Sequence, residues 1–183
     1  MSARRLSGIG LLLAGLLLCA IPARATQPLR LSFPELVRRA DRIVHARCVG
    51  VRAGPADGGP ANVEVTFAVI EGLKRVSADR LVIRQLRTAP GLGPTTGFAV
   101  GDEVLLFLRA DGPSGLTSPV GFAQGVFRVT RTRGVPAVRG DGVPAVVRHI
   151  MRHTHAAAVA TTPQSSLPLA DLIGAVRALE AGR

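Results

Sequence analysis

The chain has no tryptophan, no tyrosine and only six phenylalanines among its 183 residues. Proteins that bind single-stranded nucleic acid stack bases on aromatic side chains set among basic residues. The scarcity of aromatic residues therefore argues against nucleic acid as a partner.

Cysteine is equally scarce, with only Cys19 and Cys48 in the sequence. Cys19 falls inside the leader described below, so the processed chain keeps one cysteine and has no internal disulfide. Its stability must then come from packing. Cys48 lies in the apolar run from Ile43 to Val51, and we predict a buried, unreactive thiol.

Lysine is almost absent, because all but one of the 23 basic residues are arginine. Lys74 is the exception. The formal net charge of +11 falls by three when Arg4, Arg5 and Arg24 leave with the leader, so the processed chain stays clearly basic. A charge of this sign favours an acidic protein partner or weak contact with anionic lipid.

No long apolar run follows the first 25 residues. Within them, Arg4 and Arg5 precede an apolar run from Ile9 to Ile21, and small residues flank Arg24 at Ala23 and Ala25, which is typical of a signal peptide. We expect cleavage near Ala25, a processed chain that begins at Thr26, and export to the periplasm or the medium. The processed chain has no predicted transmembrane segment.

The remainder predicts a mainly β domain with a helix at each end. Ser32 and Glu35 form a capping box at the start of the first helix. Val63, Val65, Phe67 and Val69 alternate with polar residues, as in a half-buried strand. The predicted elements are a helix at Phe33–Ala40, strands at Arg42–Val51, Val63–Val69, Leu81–Leu86, Val104–Leu108 and Gln124–Thr132, and a helix from Pro168 to Ala181.

Val104–Leu108 is apolar on both faces and should lie deep in the fold. A duplicated Gly-Val-Pro-Ala-Val segment, at 134–138 and again at 142–146, predicts a hairpin that turns at Gly140-Asp141. Its prolines predict strands at a sheet edge.

One cluster has the composition of a metal site. His149, His153 and His155 lie close together, and a helix would bring His149 and His153 to one face at the spacing of zinc ligands. Arg148 and Arg152 would repel a cation there. The two alternative interpretations are an exposed polar segment and a metal-dependent or hydrolytic enzyme that uses these histidines. The carboxylates, among them Glu64 and Glu103, have no spacing that predicts a catalytic pair. The sequence predicts no catalytic residue and no cofactor, and we expect His45 to be a strand residue with a hydrogen-bonded ring.

Three stretches, 40–44, 65–74 and 100–108, resemble the barrel of netrin-like domains and tissue inhibitors of metalloproteases, and uncharacterised exported bacterial proteins contain similar stretches. The resemblance implies a small five-stranded antiparallel OB-like barrel, to which the residue pattern adds a short N-terminal helix and a C-terminal amphipathic helix. We expect residues 1–25 to be the signal peptide, 26–160 the barrel, and 161–183 a linker and a helix packed on it.

The inhibitors of that family chelate zinc through an amino-terminal cysteine, which a chain beginning at Thr26 lacks. What the resemblance implies is therefore a noncatalytic binding module for a protein partner, such as a protease, in the envelope or outside the cell. The expected contact surfaces are the loops 54–61 and 89–97 and the basic segment 148–155.

Overall fold

The computed structural model describes residues 30–54, 61–87, 97–132, 134–153 and 166–182. The helices are α1 (Phe33–Arg39), α2 (Val143–His153) and α3 (Leu169–Ala181), and a 3-10 turn covers Phe122–Gly125. The strands are β1 (Arg42–Ala53), β2 (Asn62–Lys74), β3 (Arg80–Leu86), β4 (Glu103–Leu108), β5 (Val126–Thr132), β6 (Val135–Arg139) and β7 (Leu167–Pro168).

The fold is mainly β, as predicted, but the expectation of a closed five-stranded barrel is wrong. Within the described residues, seven antiparallel strands form one open sheet in the order β3-β2-β1-β4-β5-β6-β7. The outer edge of β3 meets the loop after β4 through a hydrogen bond from the Thr117 amide to the Arg84 carbonyl, 2.7 Å long. Beyond β5 the sheet continues into β6 and β7, under the helices, instead of returning to β3.

Two hydrophobic clusters lie on opposite faces of this sheet. The first gathers residues from all three helices, including Phe33, Val146 and Leu172, over Ile43 and Phe127 of the sheet. The second lines the other face, with residues from β1, β2, β3, β4 and the start of β5; its largest members include Phe67, Ile83, Leu106 and Leu108. Each face of the sheet therefore carries a hydrophobic core, and the three helices contribute to the first.

Strand β4 is buried on both faces, as its sequence predicted. Leu105 and Phe107 belong to the first cluster, whereas Val104, Leu106 and Leu108 belong to the second. Successive side chains of a strand point to opposite faces, so this six-residue segment joins both cores.

The predicted terminal helices and the alternating strand are confirmed. The Glu35 carboxylate accepts hydrogen bonds from the Ser32 amide and hydroxyl at 3.0 and 2.8 Å, closing the start of α1. On β2, Val65 and Phe67 are buried in the second cluster and Val63 and Val69 pack partly against it.

The predicted hairpin of the duplicated segments is wrong. The first copy forms β6, and the second begins α2. A Cβ at Gly140 would collide with the Val126 carbonyl, and one at Gly142 would lie 2.5 Å from the Phe127 ring. The chain crosses the start of β5 here, where only glycine fits. It then continues as a helix, which Pro144 does not oppose because proline is tolerated in a first helical turn.

Lys74 joins three elements at the end of β2. Its ammonium donates a hydrogen bond to the Val37 carbonyl of α1 at 2.9 Å and forms an ion pair with Glu180 of α3 at 3.4 Å. The Lys74 side chain is 9% exposed.

Candidate binding surface

The predicted histidine cluster is partly described. Helix α2 brings His149 and His153 together, with ring centroids 4.3 Å apart, and His155 lies outside the described residues. The His149 ring also packs on Phe33 at 5.3 Å. Burial, together with the positive charges of His153 and Arg152, lowers the pKa of His149.

This arrangement fits packing rather than a metal centre. His153 Nδ1 lies 2.8 Å from the His149 carbonyl oxygen, so one ring nitrogen already faces the helix backbone. Among the residues that the structure describes, no group of three or more histidine, cysteine, aspartate or glutamate side chains is arranged to hold a metal ion.

Two expectations for β1 are confirmed. Cys48 is 1% exposed in the second cluster, and burial raises the pKa of its thiol. The His45 ring is hydrogen-bonded, with Nε2 lying 3.0 Å from the Glu103 carboxylate.

Glu103 is the centre of a buried ionic cluster at the start of β4. Its side chain is 5% exposed, yet its carboxylate accepts hydrogen bonds from Arg47 at 2.9 Å and from Arg131 at 2.8 and 3.0 Å. Burial raises the pKa of this carboxyl, but the hydrogen bonds from Arg47, Arg131 and His45 outweigh burial and hold the pKa at about 2. Glu103 is thus ionised at neutral pH and fixes two guanidinium groups.

Glu64 repeats the pattern on β2. Its side chain is 7% exposed and accepts hydrogen bonds from Arg84 of β3 at 2.9 Å and Arg52 of β1 at 2.7 Å. These two hydrogen bonds lower the pKa of the Glu64 carboxyl. An anion is again clamped between two arginines on neighbouring strands.

Strand register places both clusters on one face of the sheet. Glu103, Arg47, Ala68 and Arg80 form one row across β4, β1, β2 and β3. Arg52, Glu64 and Arg84 form a second, parallel row. Cys48, Phe67 and Leu81 belong to the second cluster. Successive residues of a strand point to opposite faces, so the residues next to them along each strand, which form the first row, lie on the face opposite that cluster.

We call this surface the arginine face. It comprises Arg47, Arg52, Arg80, Arg84, Arg131, Glu64 and Glu103. Five arginines against two glutamates leave three net positive charges. The glutamates are buried and the guanidinium groups reach outward, so the charge presented to a partner is mainly positive.

Apolar side chains accompany these charges on β3. Val82 and Leu86 alternate with Arg80 and Arg84 and are 50% and 48% exposed. Arg80 is exposed, and its guanidinium forms no ion pair within the described residues. The outer face of β3 therefore offers both charge and apolar area.

Sequence reasoning placed Glu64 correctly on the polar side of β2 but did not find this surface. The arginines and glutamates that meet are between 12 and 56 residues apart in the chain. Only the antiparallel register brings them together. The alternation of Arg80, Val82, Arg84 and Leu86 with buried residues along β3 was nevertheless a signal in the sequence that these four side chains point outward.

The structure describes few of the residues predicted as contact surfaces. Residues 55–60 and 88–96 lie outside the described ranges, and the basic segment is described only as far as His153. Among the described residues, no helix is both long enough and apolar enough to cross a bilayer.

Comparison of the chain with protein-family models, with curated proteins and with solved structures found no match.

Proposed function

We propose that this protein is an exported, noncatalytic binding module that holds an acidic protein partner on its arginine face. The observation that carries the proposal is the pair of buried glutamates, Glu64 and Glu103, each clamped between arginines that are themselves exposed by 39 to 75%. A guanidinium group that is already held by a buried glutamate loses little conformational entropy when it also binds a carboxylate of the partner.

The same geometry favours binding over catalysis. A general acid must hold a proton near neutral pH, whereas Glu103 has a pKa of about 2. A general base needs a free lone pair within reach of substrate, and the oxygens of both glutamates are occupied by arginine. These carboxylates act as positioning groups for cations.

An acidic protein fits the surface better than a lipid bilayer or a nucleic acid. Val82 and Leu86 supply exposed apolar area between the charges, which a folded partner buries. Arginine is enriched among the residues that dominate protein interfaces, and its planar group binds carboxylates in a bidentate manner.

The resemblance to netrin-like domains supports the proposed role, because such domains serve as binding modules. We propose the same role for this protein, although its strands form an open sheet and not a closed barrel. The leader-like first 25 residues support export to the periplasm or the medium.

The test is parallel affinity capture with three forms of the protein, each purified after expression with its own N-terminal segment. The wild type, Arg80→Glu and Arg109→Glu are exposed to envelope and secreted fractions of the source cells. Arg109 is a matched control because it is exposed, forms no ion pair within the described residues and lies outside the arginine face.

We expect the wild type and Arg109→Glu to retain one acidic protein that Arg80→Glu loses. With that protein purified, reversal of one charge should weaken binding about tenfold, or about 1.4 kcal/mol, and added salt should weaken it further. Equal losses in both variants would refute a specific surface. Retention of anionic vesicles alone would mean that the partner is a membrane and not a protein. Capture of a zinc protease would mean that the resemblance to tissue inhibitors of metalloproteases includes the class of partner.

A further inference from the structure

A second basic site lies in a cleft of about 690 Å³ that shares no residue with the arginine face. It is formed where the start of α1, the turn after β6 and the first turns of α2 meet. Its polar lining includes Arg30, Gln124, Arg139, Asp141 and Arg148, and Leu31 contributes apolar surface.

The arginines of this cleft differ from Arg47, Arg52, Arg84 and Arg131 of the arginine face, which are paired with glutamates. Within the described residues, Arg30, Arg139 and Arg148 form no ion pair with a carboxylate. Glu35 also lines the cleft, but its carboxylate is engaged by Ser32 at 2.8 and 3.0 Å. Three guanidinium groups thus line one cavity without an ion pair to any carboxylate within the described residues, although the Glu35 and Asp141 side chains line the same cavity.

The turn that carries Arg139 and Asp141 is held in place sterically. Gly140 and Gly142 fit against Val126 and Phe127 so closely that a Cβ would collide. The Gly142 carbonyl accepts hydrogen bonds from Ala145 at 3.0 Å and from Val146 at 3.3 Å, which fix the entry to α2. The cation and the carboxylate beside the cleft therefore sit on a rigid support.

We propose that this cleft binds a phosphate group attached to a hydroxyl-bearing carbon skeleton, as in a glycerol phosphate. The phosphate lies among Arg30, Arg139 and Arg148, since guanidinium groups donate paired hydrogen bonds to phosphate oxygens. The Asp141 carboxylate, which would repel a bare anion, accepts hydrogen bonds from the hydroxyl groups. This combination distinguishes the ligand from inorganic phosphate, and it occurs both in free phosphate esters and in phospholipid headgroups.

The test is calorimetric titration of the purified protein with glycerol 3-phosphate and with inorganic phosphate. Arg139→Gln and Arg148→Gln should each weaken binding of glycerol phosphate about tenfold. Arg152→Gln is the matched control, because Arg152 lies on the same helix as Arg148 and does not line the cleft. Thermal unfolding of every variant shows that a loss of binding is not a loss of fold.

Asp141→Ala tests the second half of the proposal. It should abolish the preference for glycerol phosphate over inorganic phosphate while leaving the affinity for inorganic phosphate equal or higher. Preference that survives this change would refute the assigned role of Asp141.

Vesicles distinguish the two sources of the ligand. Binding to phosphatidylglycerol vesicles but not phosphatidylcholine vesicles, lost in Arg139→Gln, assigns the cleft to a lipid headgroup, and binding of the soluble ester alone assigns it to a free metabolite. The proposal is overturned if neither probe binds, or if Arg152→Gln weakens binding as much as Arg148→Gln does.

Discussion

Replacing Glu103 with glutamine should destabilise the protein by an amount that depends on pH. The folded state holds the Glu103 pKa at about 2, against an ordinary value of 4.5. A carboxyl whose pKa is lower in the folded state contributes stability that is fully present above pH 4.5 and is lost as the pH falls toward 2. The difference corresponds to about 3 kcal/mol at pH 7 and to about 1 kcal/mol at pH 3.

Glutamine keeps the shape of the side chain but removes the charge that Arg47, Arg131 and His45 share. Chemical denaturation of the wild type and Glu103→Gln at both pH values measures the cost. Glu71→Gln is the control, because Glu71 is 31% exposed, has Arg177 as its one ion-pair partner among the described residues and should contribute less than about 1 kcal/mol. A cost for Glu103→Gln that is equal at pH 7 and pH 3 would show that packing, and not charge, explains it.

Three further outcomes follow from packing and burial. Phe33→Ala should cost about 3 to 5 kcal/mol in the free energy of unfolding, because the ring is fully buried and contacts Phe107 with centroids 6.3 Å apart; a cost below 1 kcal/mol by denaturant titration would contradict this packing. The pKa of His149 is lowered in the folded state, so the unfolded chain binds more protons as the pH falls below about 6.5 and stability declines. His149→Gln should flatten the dependence of the melting temperature on pH between 7 and 5, and an unchanged slope would be evidence against a partly buried ring with a lowered pKa. In the chain that begins at Thr26, which lacks Cys19, Cys48 should resist a thiol-specific colorimetric reagent in the native state and react fully in concentrated guanidinium chloride, whereas rapid native reaction would place the thiol at the surface.

Local patterns in the sequence predicted the elements well where one periodicity dominated. The alternation from Val63 to Val69 and the capping box at Ser32 both describe interactions within a few residues, and both are confirmed. The all-apolar β4 could be recognised as buried because no polar side chain offered it an exposed face.

The duplicated segments show where such reasoning ends. Identical sequences became β6 and the start of α2 because each copy meets different neighbours. The first pairs with β5, whereas Gly142 of the second packs against Phe127 with no room for a Cβ. The arginine face was equally hidden, since its ion pairs depend on register across strands and not on spacing along one.

Lys74 gives this molecule a built-in reporter of unfolding. As the only lysine of the chain, it is the only place where a lysine-specific endopeptidase can cut. The contacts of Lys74 with Val37 and Glu180 hold its side chain in the junction of α1, β2 and α3, out of reach of the protease. Cleavage of the Lys74–Arg75 peptide bond therefore requires these elements to separate. Conversion of the intact chain into two fragments on a gel therefore times the opening of the helical layer, without a dye, a tag or a substitution.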